Sequence, residues 1–220
     1  MGLKSLQDRM TPSVYGVGYL GANTDLNTSV NGKQCYKYRK WTDMLRRCYS
    51  EKYQVTVPTY IGCTISDEFK DYSKWREWYD NYPYKQDDWH LDKDLLVKGN
   101  KVYSKETCVF LPRAINMALV TRQGNRGKCL IGVVFPKNGK YTSFLKKHGK
   151  NTYLGTYDNE YDAYLAYKLA KEEYLKELAE DYKDMLDPRA YIALQKYVVD
   201  VDDWCSDTFN TLSKIVAGNA

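Results

Sequence analysis

Apolar side chains recur along this chain with two different periods. Over 36–49, Trp41, Met44, Leu45 and Cys48 fall at helical spacing, which predicts an amphipathic helix with Arg39, Lys40, Arg46 and Arg47 around it. Phe69, Tyr72, Trp75 and Tyr79 predict a second helix of the same kind. Between them 59–65 reads as a short strand. Two short extended runs then flank a Lys98-Gly99-Asn100 turn, ahead of a helix carrying Ile115 and Leu119. Beyond residue 128 the period shortens to two, giving three strand-like runs at 129–135, 140–146 and 151–157. An Asn138-Gly139 hairpin signal joins the first two, and His148-Gly149-Lys150 leads into the third. In the middle run Tyr141, Ser143 and Leu145 alternate with Lys140, Thr142, Phe144 and Lys146, and Tyr141 and Leu145 are predicted to lie under a helix. That helix, capped by Asp158, carries a stripe of Ala163, Tyr167, Ala170 and Tyr174 with Ala166 alongside. Alanine on this face lets it lie close against a small sheet. Tyr191, Leu194, Tyr197 and Val198 again recur at helical spacing. The expectation is an α+β chain in four pieces: a domain over 1–120, a polar basic linker over 121–128, a second domain over 129–187 and a helical tail over 188–220.

Composition narrows the class. At 220 residues, 43% of them hydrophobic, the chain carries enough apolar area to fold, which excludes a disordered protein. No run approaches the roughly eighteen apolar residues of a membrane span, and MGLKSLQDRM holds no apolar leader core. A cytoplasmic protein without a membrane partner is therefore expected. The six cysteines include no Cys-x-x-Cys pair, which predicts reduced thiols rather than a disulfide scaffold. Cys48, Cys63 and Cys108 with His90 match no finger spacing, so structural zinc is not expected.

The net charge of +5 is modest, but its distribution is not. From Arg122 to Tyr157 eight basic side chains stand without a single Asp or Glu, whereas from Asp158 to Asp187 ten carboxylates accompany four lysines. A solvated lysine face usually alternates with carboxylates, so an acid-free block points to a polyanionic partner. The 22 tyrosines keep a different class open, a factor whose tyrosine-rich surface meets a host protein.

The string GVVFPKNGKYTSFLKKHGKNTYLGTYDNEYDAYLAYKLAKEEY resembles an AP2-type DNA-binding domain. Its most specific parts are GV at 132–133, the NGKY turn, YLGTYDNEYDA at 153–163 and AY at 166–167. The resemblance implies a three-stranded sheet that lies in the major groove of double-stranded DNA and turns its outward side chains to phosphates and bases. Carried over position by position, the second strand presents Lys140, Thr142, Phe144 and Lys146, and the third presents Asn151 and Tyr153. Lys137, Lys147 and Lys150 join them as DNA contacts. Plant members carry arginines at several of these places. Arginine reads guanine bidentately while lysine mostly meets phosphate, so the departure bears on sequence selectivity rather than on affinity.

Upstream, WTDMLRRCY, DEFKDYSKWREW, LDKDLLVKGNKVYSKETC and INMAL together resemble phage-encoded HNH-family homing-type endonucleases, which often place an AP2 module after the nuclease half. This resemblance implies a β-hairpin and a helix around one divalent metal, Mg²⁺ or Mn²⁺, with a histidine as general base. Asp92 stands where the family's metal-binding Asp belongs; Lys93 occupies the usual place of the catalytic His, and Thr107 that of a metal-binding Asn. His90, two residues before Asp92, shares its side of an extended run and is the candidate base. The candidate catalytic set is thus His90, Lys93 and Glu106, and the candidate metal ligands are Asp92, Asn100 and Thr107. In this scheme Lys93 points to the opposite face, where it holds a phosphate. Two functions follow as expectations. One is a metal-dependent DNA endonuclease with an AP2 targeting domain, acting in the cytoplasm of an infected bacterium. The other is a DNA-binding protein of the same fold that has lost its base and serves regulation or interference.

Overall fold

The computed structural model describes residues 5–120, 129–137 and 139–201, and for 135–137 the backbone alone. Helices and strands are mixed throughout, as an α+β chain requires. The chain divides into two compact units, Met1–Phe110 and Leu111–Ala220. The expected linker at 121–128 lies outside the described residues. Among those described, no helix is long and apolar enough to cross a membrane.

The first unit is built on aromatic packing. After a short α1 (Leu6–Met10), helix α2 (Tyr36–Tyr49) forms over the predicted span and buries Trp41, Met44, Leu45 and Cys48 along one face. It ends at Ser50, whose hydroxyl accepts from the Tyr53 amide and so opens α3 (Glu51–Thr56). The run containing Phe69 and Tyr72 is not one helix. Asp71 breaks it with an extended backbone, and its Oδ1 accepts from the amides of Ser73 (2.8 Å) and Lys74 (3.4 Å). One carboxylate therefore ends a short α4 (Asp67–Lys70) and caps α5 (Tyr72–Asn81). Trp41 meets Tyr72 at 5.2 Å between ring centroids, Trp75 meets Tyr79 at 5.1 Å, and Phe110 closes the array 5.4 Å from Tyr79. The buried Trp41 indole satisfies its N–H on the Phe69 carbonyl at 2.7 Å.

Strands in this unit are short. Only Thr64–Ile65 of the predicted 59–65 strand is extended, as β1, because Pro58–Tyr60 winds into a 3₁₀ turn. The two runs around residues 98–100 are extended as expected, His90–Asp92 as β2 and Val102–Tyr103 as β3. They do not pair with each other. Strand β3 lies parallel to β1, and β2 pairs with β4 (Val109–Leu111). A further hairpin, Ser29–Val30 with Lys33–Gln34, precedes α2.

The second unit begins with α6 (Arg113–Leu119), the helix that the sequence assigns to the first domain. Its last turn receives the ammonium of the buried Lys171 on the Ala118 carbonyl, a favourable place for a cation. Strands β5 (Val133–Lys137), β6 (Lys140–Lys147) and β7 (Lys150–Tyr157) form an antiparallel sheet in chain order. His148 and Gly149 have φ of +47° and +80°, the left-handed pair of a tight two-residue hairpin. The first strand starts later than predicted because Gly132 turns at φ +79° with the Tyr167 ring against its α-carbon. Helix α7 (Glu160–Asp181) covers one face of the sheet; Asn159 rather than Asp158 caps it, accepting from the Asp162 amide. Ala163, Tyr167 and Tyr174 are buried as expected, while Ala170 is only half-buried. A second apolar side of α7 packs on α8 (Pro188–Gln195), where Ala190 and Leu194 are the buried residues; Val198, expected on that stripe, lies beyond the helix end and is exposed. Val199 returns to α7 through bonds to Tyr164, Lys168 and Glu172. The tail thus completes this core.

A Cβ at residue 132 would stand 2.1 Å from the Tyr167 ring. Gly132→Ala should therefore destabilise the protein by about 2–5 kcal/mol, combining left-handed strain with overpacking. Thermal unfolding within 1 °C of the parent would show that the sheet can shift away from α7.

Candidate nucleic-acid interface

Strand β6 sorts its side chains by parity. Ser143 and Leu145 are buried under α7, with Tyr141 half-buried beside them, while Thr142, Phe144 and Lys146 point the other way. Register then decides what joins them. Thr142 lies opposite Thr156, Phe144 opposite Tyr153 and Lys146 opposite Asn151, with a bulge between Ser143 and Phe144. All five of Thr142, Phe144, Lys146, Asn151 and Tyr153 are thus brought to one outer face. The Phe144 and Tyr153 rings meet edge to face at 5.7 Å, and the Tyr153 hydroxyl is 2.9 Å from the Thr156 hydroxyl. Thr156 and the exposed Val134, which lies opposite Thr142, complete the patch. Sequence reasoning missed both; the hairpin register was the signal that could have found them.

The lysines separate into two sets. Lys146 and Lys150 are exposed and carry no hydrogen bond or ion pair among the described residues. Lys140, although exposed, pairs with Asp158. Lys147 turns to the helix side, 3.0 Å from Glu177 and 5.1 Å from the Tyr174 ring centroid. The side chain of Lys137 lies outside the described residues.

In the first unit the candidate catalytic residues gather around β2 and the loop that follows. The strand keeps His90 and Asp92 on one side, as the spacing predicts. Asp92 Oδ1 accepts from the amides of Asp94 (3.0 Å) and Leu95 (2.8 Å), which bends the chain out of the strand. Burial, reinforced by the charge of Asp94, pushes its carboxyl up to about 6. Lys93 turns inward and is buried, with Nζ 3.0 Å from Asp94 Oδ2 and 3.1 Å from the Asn100 carbonyl. Burial opposes its charge, but Asp94 outweighs it and holds the pKa above the usual lysine value. Two of the three ammonium protons are therefore engaged within the loop rather than on a phosphate.

The remaining members of the set hold the same loop together. The Asn100 amide donates to the carbonyls of Lys93 (2.6 Å) and Val102 (2.7 Å), and its Oδ1 accepts from the Val102 amide (3.1 Å). The Thr107 hydroxyl donates to the Val102 carbonyl at 2.9 Å and lies 3.1 Å from the Ser104 hydroxyl. Glu106 is exposed in that turn. Of the three expected metal ligands, Asp92 keeps one oxygen without a hydrogen bond among the described residues, while the Asn100 amide and the Thr107 hydroxyl are bonded to backbone. No group of three or more His, Cys, Asp or Glu is gathered where it could hold a metal, among those same residues. Burial raises the thiols of Cys48, to about 12, and of Cys63 and Cys108, and such thiols are inert.

Lys40 had appeared in the sequence only as part of the basic rim of α2. Its Nζ donates to the carbonyl of Trp89, the neighbour of His90, at 2.7 Å, and stands 4.8 Å from the Tyr36 ring centroid. Burial, helped by Arg47 and Arg39 against Asp87 and Asp88, lowers its pKa to about 8. Nothing in helical periodicity signals that the amine folds back beside this strand.

Compared with family models, curated proteins and solved structures, the chain matches none.

Asp92 supplies a pH prediction. Its folded pKa lies above the ordinary carboxyl value, so its contribution to stability is complete below about pH 4 and is lost as the pH rises through about 6. Asp92→Asn keeps the acceptor for both amides and removes the charge. It should be more stable than the parent at pH 8, by about 3 kcal/mol, with the difference closing at pH 4. Melting curves at the two pH values test this, and a variant less stable at both would contradict the assigned burial.

Proposed function

We propose that this protein binds duplex DNA through the outer face of the β5–β7 sheet. The observation that carries the reading is the composition of that face. Unpaired Lys146 stands on it beside the half-buried Phe144, the exposed Tyr153 and the free amide of Asn151, with exposed Lys150 at the hairpin edge, while the carboxylates from Glu160 to Asp181 belong to the helix behind. Three strands without an acidic residue, carrying free ammonium groups at the hairpin end, complement a polyanion, and a narrow β-ribbon fits the major groove. The two sets of lysines make the reading testable. Changing Lys146 and Lys150 together to Ala should weaken duplex binding and reduce the slope of log K against log salt by about 2, one unit for each lost phosphate contact. Lys147→Ala should leave that slope nearly unchanged, because its ammonium is held by Glu177. An unaltered salt line in the double variant would remove DNA binding from this face.

A second reading adds phosphodiester hydrolysis at β2. One observation favours it: His90 and Asp92 stand on one side of the strand, and Asp92 retains a free oxygen. A neutral imidazole there can accept a proton from water, a contribution on the order of 10²–10⁴ in rate, and a hard cation such as Mg²⁺ or Mn²⁺ would be held by Asp92. Supercoiled plasmid incubated with the protein and Mg²⁺, Mn²⁺ or EDTA reports the activity. Asp92→Ala should abolish nicking while duplex affinity stays within about twofold, since binding rests on the other unit. A parent protein that nicks with neither metal leaves the first reading standing alone.

A further inference from the structure

Resting on that reading of the sheet, we propose that its outer face recognises adenine–thymine pairs, with the Asn151 amide on adenine and the Phe144–Tyr153 ring pair on thymine methyl groups. What the sheet lacks comes first. No arginine occurs between Arg126 and Arg189, so the side chain that most often reads guanine O6 and N7 is missing from all three strands. Lysine can reach the same atoms, but as a point charge without the planar fork of arginine, and Lys150, opposite Lys147, is turned off this face.

The neighbouring groups on the face have other complements. Asn151 is exposed, sits opposite Lys146, and its side-chain amide has no hydrogen bond among the described residues. This differs from Asn100 and Asn159, whose amides are spent on holding a loop and a helix cap. An unspent amide presents one donor and one acceptor side by side, the pattern that adenine N7 and N6 complete. Phe144 and Tyr153 present apolar surface that the core does not explain, Tyr153 being 59% exposed. The Tyr153 hydroxyl is tied to Thr156, so the ring is held in place. In the major groove the apolar feature such a pair can meet is the thymine C5 methyl. Spacing agrees. Asn151 and Tyr153 are two residues apart on β7, about 6.7 Å, which matches two base-pair steps of about 3.4 Å.

The test uses the full-length chain. Selection from a random 20-bp duplex library, read by sequencing, gives the preferred site, and fluorescence anisotropy then compares modified versions of that duplex. Enrichment of A·T pairs over neighbouring positions is expected. Replacing thymine by uracil should weaken binding by about fourfold for each methyl in contact, and 7-deaza-adenine, which lacks the N7 acceptor, should weaken it at one position. Asn151→Ala should lose about 5–150-fold in discrimination at that same adenine, with affinity for unselected duplex nearly unchanged. The uracil substitution alters the DNA alone, so its outcome does not depend on whether a variant folds. Guanine–cytosine enrichment, or tight binding that ignores uracil and 7-deaza-adenine, would overturn the base assignment and leave DNA binding intact. Absence of duplex binding even at low salt would overturn the DNA reading itself.

Discussion

The alternation of β6 is the constraint on which the second unit depends. Leu145 and Ser143 are buried against α7, so the strand has one admissible register. A slip of a single residue would bury Phe144 and Lys146 and expose Leu145. Everything on the outer face follows from this: which residue of β7 lies opposite Phe144, where the bulge falls, and which lysines remain free. Gly132 supports the same packing from the turn before the neighbouring strand by admitting the Tyr167 ring against bare backbone.

The first unit solves a different problem. Its strands are too short to organise a sheet, and the residues after β2 are shaped by side chains bonding to backbone. Asp92, Asn100 and Thr107 between them satisfy six main-chain groups, counting each amide and carbonyl separately for each partner. Asp92 and Thr107 stand where the family resemblance places metal ligands, and Asn100 joins them as a candidate. In this geometry those polar atoms hold the loop. Asp92 is the exception, with its second oxygen still uncommitted.

Much of this architecture was legible in the chain. Helix α2 matches its predicted span because Trp41, Met44, Leu45 and Cys48 make an unbroken stripe, and the parity of β6 placed Thr142, Phe144 and Lys146 outward. Legibility failed where a local polar contact competes with periodicity. Asp71 interrupts the Phe69–Tyr79 stripe by capping, and Asn159 takes the cap from Asp158, which pairs with Lys140 instead. Lys147 shows charge misleading where parity did not: its odd position puts it on the helix side, whereas the run of basic residues suggested a DNA contact. The parallel pairing of Thr64–Ile65 with Val102–Tyr103 has no local signal, since its partners are far apart in sequence. The roles of Asn100 and Thr107 could not be read from spacing, because they depend on the path of a loop that those residues themselves create.

The acidic helix behind the sheet has a kinetic consequence. Asp162, Glu173, Glu177, Glu180 and Asp181 are exposed along α7, on the side of the sheet opposite Lys146. The described residues of the second unit are therefore charged asymmetrically, with the positive side on the outer face of the sheet. In the field of a polyanion such a body experiences a torque as well as an attraction, and it rotates before contact so that the sheet leads. Encounters that arrive helix-first are repelled and turned rather than trapped. The carboxylates that lower the average charge thereby sharpen its direction, and added salt would blunt the alignment along with the attraction.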